Sequence, residues 1–185
     1  MKLLHLFLVT ATLLIFPVKF GTLAKAQAAP QRPAFEMPEW QPFCSAMGLF
    51  AIDMPGNPKI NAETFSTQVI AHTYRSVLKN KDSYLLQYFD LDFRIGNNNS
   101  NNNIKITLNN AVDFFVVGKN AKLLQVRDIS LGSYPGKEFE FQPLSPTEPV
   151  GVGQVFLVET RVYGLVATTS KPENAQKFLD SFRLF

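Results

Sequence analysis

Ser133-Tyr134-Pro135-Gly136-Lys137-Glu138-Phe139 is the stretch whose reading decides the fold. Proline and glycine side by side punctuate regular structure and mark a turn. From Lys137 to Gln142 the residues alternate, with Phe139 and Phe141 on one face, which is the period of a half-buried strand. Just upstream, Leu123 to Leu131 alternates as well: Leu124, Val126 and Asp128 lie opposite Gln125, Arg127 and Ile129. Two strands with Gly132–Gly136 as the turn between them make an antiparallel pair. A second Pro-Gly step, in Asp53-Met54-Pro55-Gly56-Asn57-Pro58, follows the short strand-like run Leu49–Met54, where Phe50, Ile52 and Met54 share a face.

Working outward, Phe65–Leu78 and Tyr84–Phe93 read as two further strands joined at Asn80-Lys81-Asp82. Gln154–Glu159 and Arg161–Thr169 read as another pair, after a loop over Pro143–Gly153. The asparagine run from Gly96 to Asn103 offers nothing to bury and reads as a loop. Ile104, Ile106 and Leu108 alternate like a strand, whereas Leu108, Ala111, Val112, Phe115 and Val116 recur like a helix; a helix over Thr107–Val117, ended near Gly118, is the favoured reading. The last element is a helix. Ser170 is its expected cap, Pro172 suits the first turn and Glu173 suits the positive end. Ala175, Phe178, Leu179 and Phe182 form its buried stripe. Strands outnumber helices and short turns join most of them. The expected fold is therefore α+β: an antiparallel sheet of about six to seven strands with about two packed helices.

The N-terminus reads as an export signal over residues 1–28. Lys2 is the positive start, Leu3–Phe16 the apolar stretch, and Ala24-Lys25-Ala26 and Ala26-Gln27-Ala28 are small-residue cleavage sites. The apolar stretch is shorter than the roughly 20 residues of a spanning helix, so no stable membrane span is expected after cleavage. A proline-rich linker over 29–47 follows, with Trp40 or Phe43 placed to dock on a single domain over 48–185. The chain holds 18 basic and 15 acidic residues. Lys2, Lys19 and Lys25 fall within the signal, which has no acid, so the mature part is balanced and carries no basic stripe for nucleic acid. Cys44 is the one cysteine, which excludes an internal disulfide, and it reads as a small apolar residue near the domain entrance.

The two Pro-Gly steps and the closing Phe178-Leu179-Asp180-Ser181-Phe182 resemble motifs of small exported bacterial domains with the architecture of PsbP, the extrinsic subunit of oxygenic photosystem II. The resemblance covers about Phe50 to Phe185. It implies a PsbP-like α+β domain in the periplasm, the thylakoid lumen or the extracellular space. It carries over no functional residue, because no site motif of that protein aligns here.

The residues that could carry chemistry are few. His72 is the only histidine of the mature part and lies in a strand. Asp90 and Asp92 share a strand face, a spacing that could serve acid–base work or a hard cation. No G-x-S-x-G elbow, phosphate loop or dinucleotide fingerprint is present. No catalytic, cofactor-binding or metal residue is assigned, and no cofactor is expected. Lys137, Glu138 and Glu140 are expected to point to solvent. The Tyr134 turn, the Pro143–Gly153 loop and Tyr74, Tyr84 and Tyr88 are better suited to contacting a partner, with core packing the default for the tyrosines. The reading is an exported, non-enzymatic domain that binds an unidentified protein or supports an assembly. The alternative is an exported hydrolase or cation-binding protein using Asp90, Asp92 and His72.

Overall fold

The computed structural model describes residues 39–64, 69–91 and 101–185. Along them run β1 (Trp40–Ser45), β2 (Phe50–Pro55), β3 (Lys59–Thr64), β4 (Ile70–Val77), β5 (Ser83–Asp90), α1 (Asn101–Gly118), β6 (Ala121–Leu131), β7 (Tyr134–Pro143), β8 (Gly151–Val158), β9 (Arg161–Thr168), α2 (Pro172–Asp180) and β10 (Arg183–Leu184). Seven strands make an antiparallel sheet in the order β3-β4-β5-β9-β8-β7-β6, and β1-β2-β10 make a second, smaller one. The expected α+β class holds.

Alternation along the central strands gives the large sheet two apolar faces, and each is covered. On one face α1 lays Leu108, Val112 and Phe115 against Phe139, Phe141, Val155, Val162 and Val166. On the other, β2 and α2 bring Phe50, Ile52, Met54, Phe178 and Phe182 against Tyr84, Leu86, Tyr88, Tyr163 and Leu165. The predicted stripe of the last helix is the buried one: Ala175, Phe178, Leu179 and Phe182 all lie in this second core.

The opening segment folds differently from its turn reading. The connection from β6 to β7 is Gly132-Ser133 alone, with Gly132 in the left-handed region at φ 60°. Pro135 and Gly136 belong to β7, opposite Ser130 and Ile129. Gly136 is in the strand because Phe156 lies across from it and fills the missing side chain's place. The same device extends β8 into the predicted loop. Gly151 and Gly153 lie opposite Phe141 and Phe139. A Cβ on Gly153 would lie 2.4 Å from the Phe139 ring and 2.8 Å from the carbonyl oxygen of Leu165.

Other boundaries move too. Asn101–Asn103, read as loop, are the first turn of α1. Trp40–Ser45, placed in the linker, form β1 and pair along all of β2 up to Trp40 opposite Pro55. Trp40 and Phe43 do pack on the core. β3 and β10 had no signal in the sequence reading. Ser170 does not cap α2: Lys171 occupies the cap position and makes no side-chain capping bond, and its N–H donates to Thr169 Oγ1 at 3.1 Å. The signal peptide over 1–28, Phe65, Asp92, Phe93 and the loop over Gly96–Ser100 lie outside the described residues.

Candidate protein-binding surface

Asp90 ends β5 directly opposite Arg161, the first residue of β9. Both of its oxygens are engaged by that guanidinium, Nε to Oδ1 at 2.7 Å and Nη2 to Oδ2 at 2.9 Å. Arg161 also donates from Nη1 to the Met47 carbonyl at 3.1 Å and lies 4.6 Å from the centre of the Tyr88 ring. The Asp90 hydrogen bonds hold the Arg161 pKa above its ordinary value, against the opposing effect of burial. Beside it, Tyr163 donates to the Gly48 carbonyl at 2.7 Å. These bonds tie the ends of β5 and β9 to the β1–β2 turn. They commit both Asp90 oxygens to Arg161 in a two-pronged ion pair at the sheet's end. His72 stacks on Tyr88 at 4.7 Å between ring centres. No group of three or more His, Cys, Asp or Glu able to hold a metal occurs among the described residues.

The other candidates separate into core and surface. Tyr74, Tyr84 and Tyr88 are buried and belong to the core on the α2 side. Burial first, then Tyr74, pushes the Tyr88 phenol up to about 12. Cys44 lies exposed on β1, near the start of the domain. Lys137 corrects its solvent reading. It shares the face of Phe139, its side chain is buried, and its ammonium sits 2.6 Å from Asp128 on β6. That contact holds the Asp128 carboxyl below the usual carboxylate range.

Glu138 and Glu140 project to the opposite face. There the outer strands β6, β7 and β8 extend past the cover given by β2 and α2. The uncovered strip and the start of α2 bound an open trough of about 550 Å3, lined by Arg127, Glu138, Glu140, Val150, Pro172 and Gln176 among others. Its polar side is built across three strands. Arg127 Nε donates to Glu138 Oε1 at 2.8 Å, and Gln154 Nε2 donates to Glu138 Oε2 at 2.9 Å. Its apolar side is Pro149, Val150 and Val152, and Val150 is 47% exposed. Pro149 and Val150 come from the loop singled out in the sequence. The Tyr134 turn sits at the other end of β7 and takes no part. Arg127 and Gln154 carry no sequence signal, because their meeting depends on the register of β6 and β8 on β7.

A second groove of about 340 Å3 opens at the C-terminal end of α1, between Phe114, Phe115 and Lys119 and the strand residues Thr73, Arg75 and Gln87. Burial, and then Arg75, lowers the Lys119 pKa. Glu63 lines the same groove, and the carboxylate that acts on Lys119 in the opposite direction is Glu148.

A seven-stranded antiparallel sheet with a helix on one face, and a small sheet plus a second helix on the other, defines a PsbP-like fold. Among solved structures, the chain is similar to that of cyanobacterial PsbP, CyanoP, from Synechocystis sp. PCC 6803. It is similar over 90% of this chain and 99% of its own, with a TM-score of 0.58 and 9% sequence identity. No family model and no curated protein sequence matches the chain. No helix among the described residues is long and apolar enough to cross a membrane.

Proposed function

We propose that the chain is an exported, non-enzymatic domain that binds a protein partner through the trough between β6–β8 and α2, in support of an envelope or thylakoid-lumen assembly. The observation that carries this reading is the make-up of the trough. Exposed Val150 and its proline neighbour lie beside an Arg127–Glu138–Gln154 set already held in place by its own hydrogen bonds. Protein interfaces combine an apolar centre with a polar rim and favour arginine. Side chains fixed before binding lose less entropy when a partner arrives. A small ligand is better served by an enclosed pocket that buries most of its surface, whereas this trough is open along its length. Export is supported by the N-terminal sequence pattern, and the PsbP-like fold is compatible with it.

Photo-crosslinking tests the proposal. A crosslinking residue at Val150 is expected to trap a discrete partner in the native compartment. The adduct should be lost when Arg127→Glu is added. The same probe at Val117, exposed on α1 away from the trough, is the control. Equal trapping at both positions, or an adduct indifferent to Arg127→Glu, would refute the trough as the binding face.

A further inference from the structure

β3 ends the large sheet, and all six of its residues are exposed. A terminal strand of this kind presents a row of backbone donors and acceptors that a further strand can use. Its side chains sort by face. Lys59, Asn61 and Glu63 project on the α1 side; Ile60, Ala62 and Thr64 project on the other, next to Ile70. Ile60 is 64% exposed and Ile70, across from Thr64, 51%, so that side carries an exposed isoleucine near each end of β3.

The charges on the α1 side are arranged oddly for an isolated chain. Lys59 lies directly opposite Arg75 of β4, and like charges directly opposite each other disfavour a pair of strands. Neither cation has an ion-pair partner among the described residues. Glu63, two rungs along, faces Ala71 and, among the described residues, accepts a side-chain bond only from Asn61 Nδ2, at 2.7 Å. The strand thus carries a cation at one end, an anion at the other and an amide midway. That sequence is its own complement when read antiparallel.

We propose that β3 is a homotypic edge: two copies of the chain pair their β3 strands antiparallel about Asn61. Lys59 of each copy then lies opposite Glu63 of the other, and Ile60 lies opposite Ala62. The carboxylate of the second copy completes a row Arg75–Lys59–Glu63 across three strands and supplies the counter-charge that the two cations lack within one chain. Thr64 falls opposite Pro58, whose missing N–H marks where the ladder stops. Six-residue pairing buries little surface and belongs with weak, transient interfaces, so the two copies exchange readily. This contact is separate from the trough beside α2.

The test is sedimentation of the mature chain over a wide concentration range. Wild type is expected to pass from monomer to dimer as concentration rises. Glu63→Lys sets lysine opposite lysine twice and is expected to weaken the dimer by about tenfold or more. The double reversal Lys59→Glu with Glu63→Lys restores the opposition of charges and is expected to recover most of the loss. Both positions are exposed, so a circular dichroism spectrum and melting point like wild type's will show that the fold is kept. A wild type that stays monomeric throughout overturns the proposal, even if it captures an extended peptide along β3. A Glu63→Lys variant that dimerises like wild type overturns it too. Failure of the double reversal to rescue overturns the register about Asn61.

Discussion

Replacing Gly164 by alanine tests how α1 is seated on the sheet. Gly164 lies in the middle of β9, between Gln87 of β5 and Val155 of β8. The Phe115 ring from α1 rests on it so closely that a Cβ there would sit 2.0 Å from Cζ and 2.1 Å from Cε2. Phe115 is itself buried between the helix and the sheet, so the ring cannot move without lifting the helix or displacing Phe139. Overpacking a filled core costs about 1–3 kcal/mol, and exchanging a strand glycine for alanine returns about 0.5–1 kcal/mol. Because the overlap is severe, the upper part of the overpacking range applies, and a net loss of about 1–2 kcal/mol is expected, or roughly 2–8 °C in melting temperature for a domain of this size. Phe115→Leu alone is expected to cost about 1–2 kcal/mol through lost contact and residual space. Combined with Gly164→Ala it should cost less than the sum, by about 1 kcal/mol or more, because the shorter side chain vacates the place the new methyl takes. Urea unfolding gives all three values, with the fluorescence of Trp40, the only tryptophan, as reporter. If the two substitutions add to within about 0.3–0.5 kcal/mol, they are energetically independent, and the seating of Phe115 on Gly164 is wrong.

Phe178→Ala removes a fully buried ring packed edge-on against Tyr84 and should cost about 3–5 kcal/mol in the same urea experiment. Asp90→Asn should change stability by only about 0–1 kcal/mol, as a partly exposed ion pair does; Arg161→Ala should cost more, because the Met47 carbonyl and the Tyr88 ring lose contacts as well. A larger effect at Asp90 than at Arg161 would contradict this order. Above pH 10 stability should fall: an unfolded tyrosine loses its proton near pH 10, whereas native Tyr88 keeps its proton to about 12. The native state then binds more protons than the unfolded one, so this contribution is intact below about pH 10 and is lost as pH rises towards 12. Phenolate absorbance compared between wild type and Tyr88→Phe will show it, and a Tyr88 that ionises near pH 10 in the folded chain would contradict the burial argument.

The parts of the fold legible in sequence are those where one face is buried and the other wet. Phe139 and Phe141 alternate with Glu138 and Glu140, and the structure buries the first pair and turns the second to the trough. The helix stripe Ala175–Phe182 is legible for the same reason. β3 is not: Lys59–Thr64 is exposed on both faces, so no contrast of hydrophobicity marks it. Gly136, Gly151 and Gly153 misled in the opposite direction. Each reads locally as a breaker, yet each is covered by a phenylalanine from the adjacent strand, a long-range pairing that no window of sequence contains. The trough was half visible, through the Pro143–Gly153 loop. Its polar side depends on three strands in register and therefore appears only in the fold. The Asp-x-Asp spacing pointed elsewhere, and its first member is taken up by Arg161.

β10 joins β2 at Arg183 opposite Ala51 and Leu184 opposite Phe50, and this pairing bears on the order of folding. It closes a loop of about 130 residues, and such closure is entropically costly until other contacts have shortened the path. The strands β6 to β9, by contrast, are successive hairpins whose ends meet early at little entropic cost. The meander should therefore form first and serve as the surface on which the N-terminal strands and α2 condense, with β10 docking last. Substitutions at Phe182 would then speed unfolding while leaving the folding rate nearly unchanged. A chain with β10 still undocked would have its hairpins formed and β2 open along one edge.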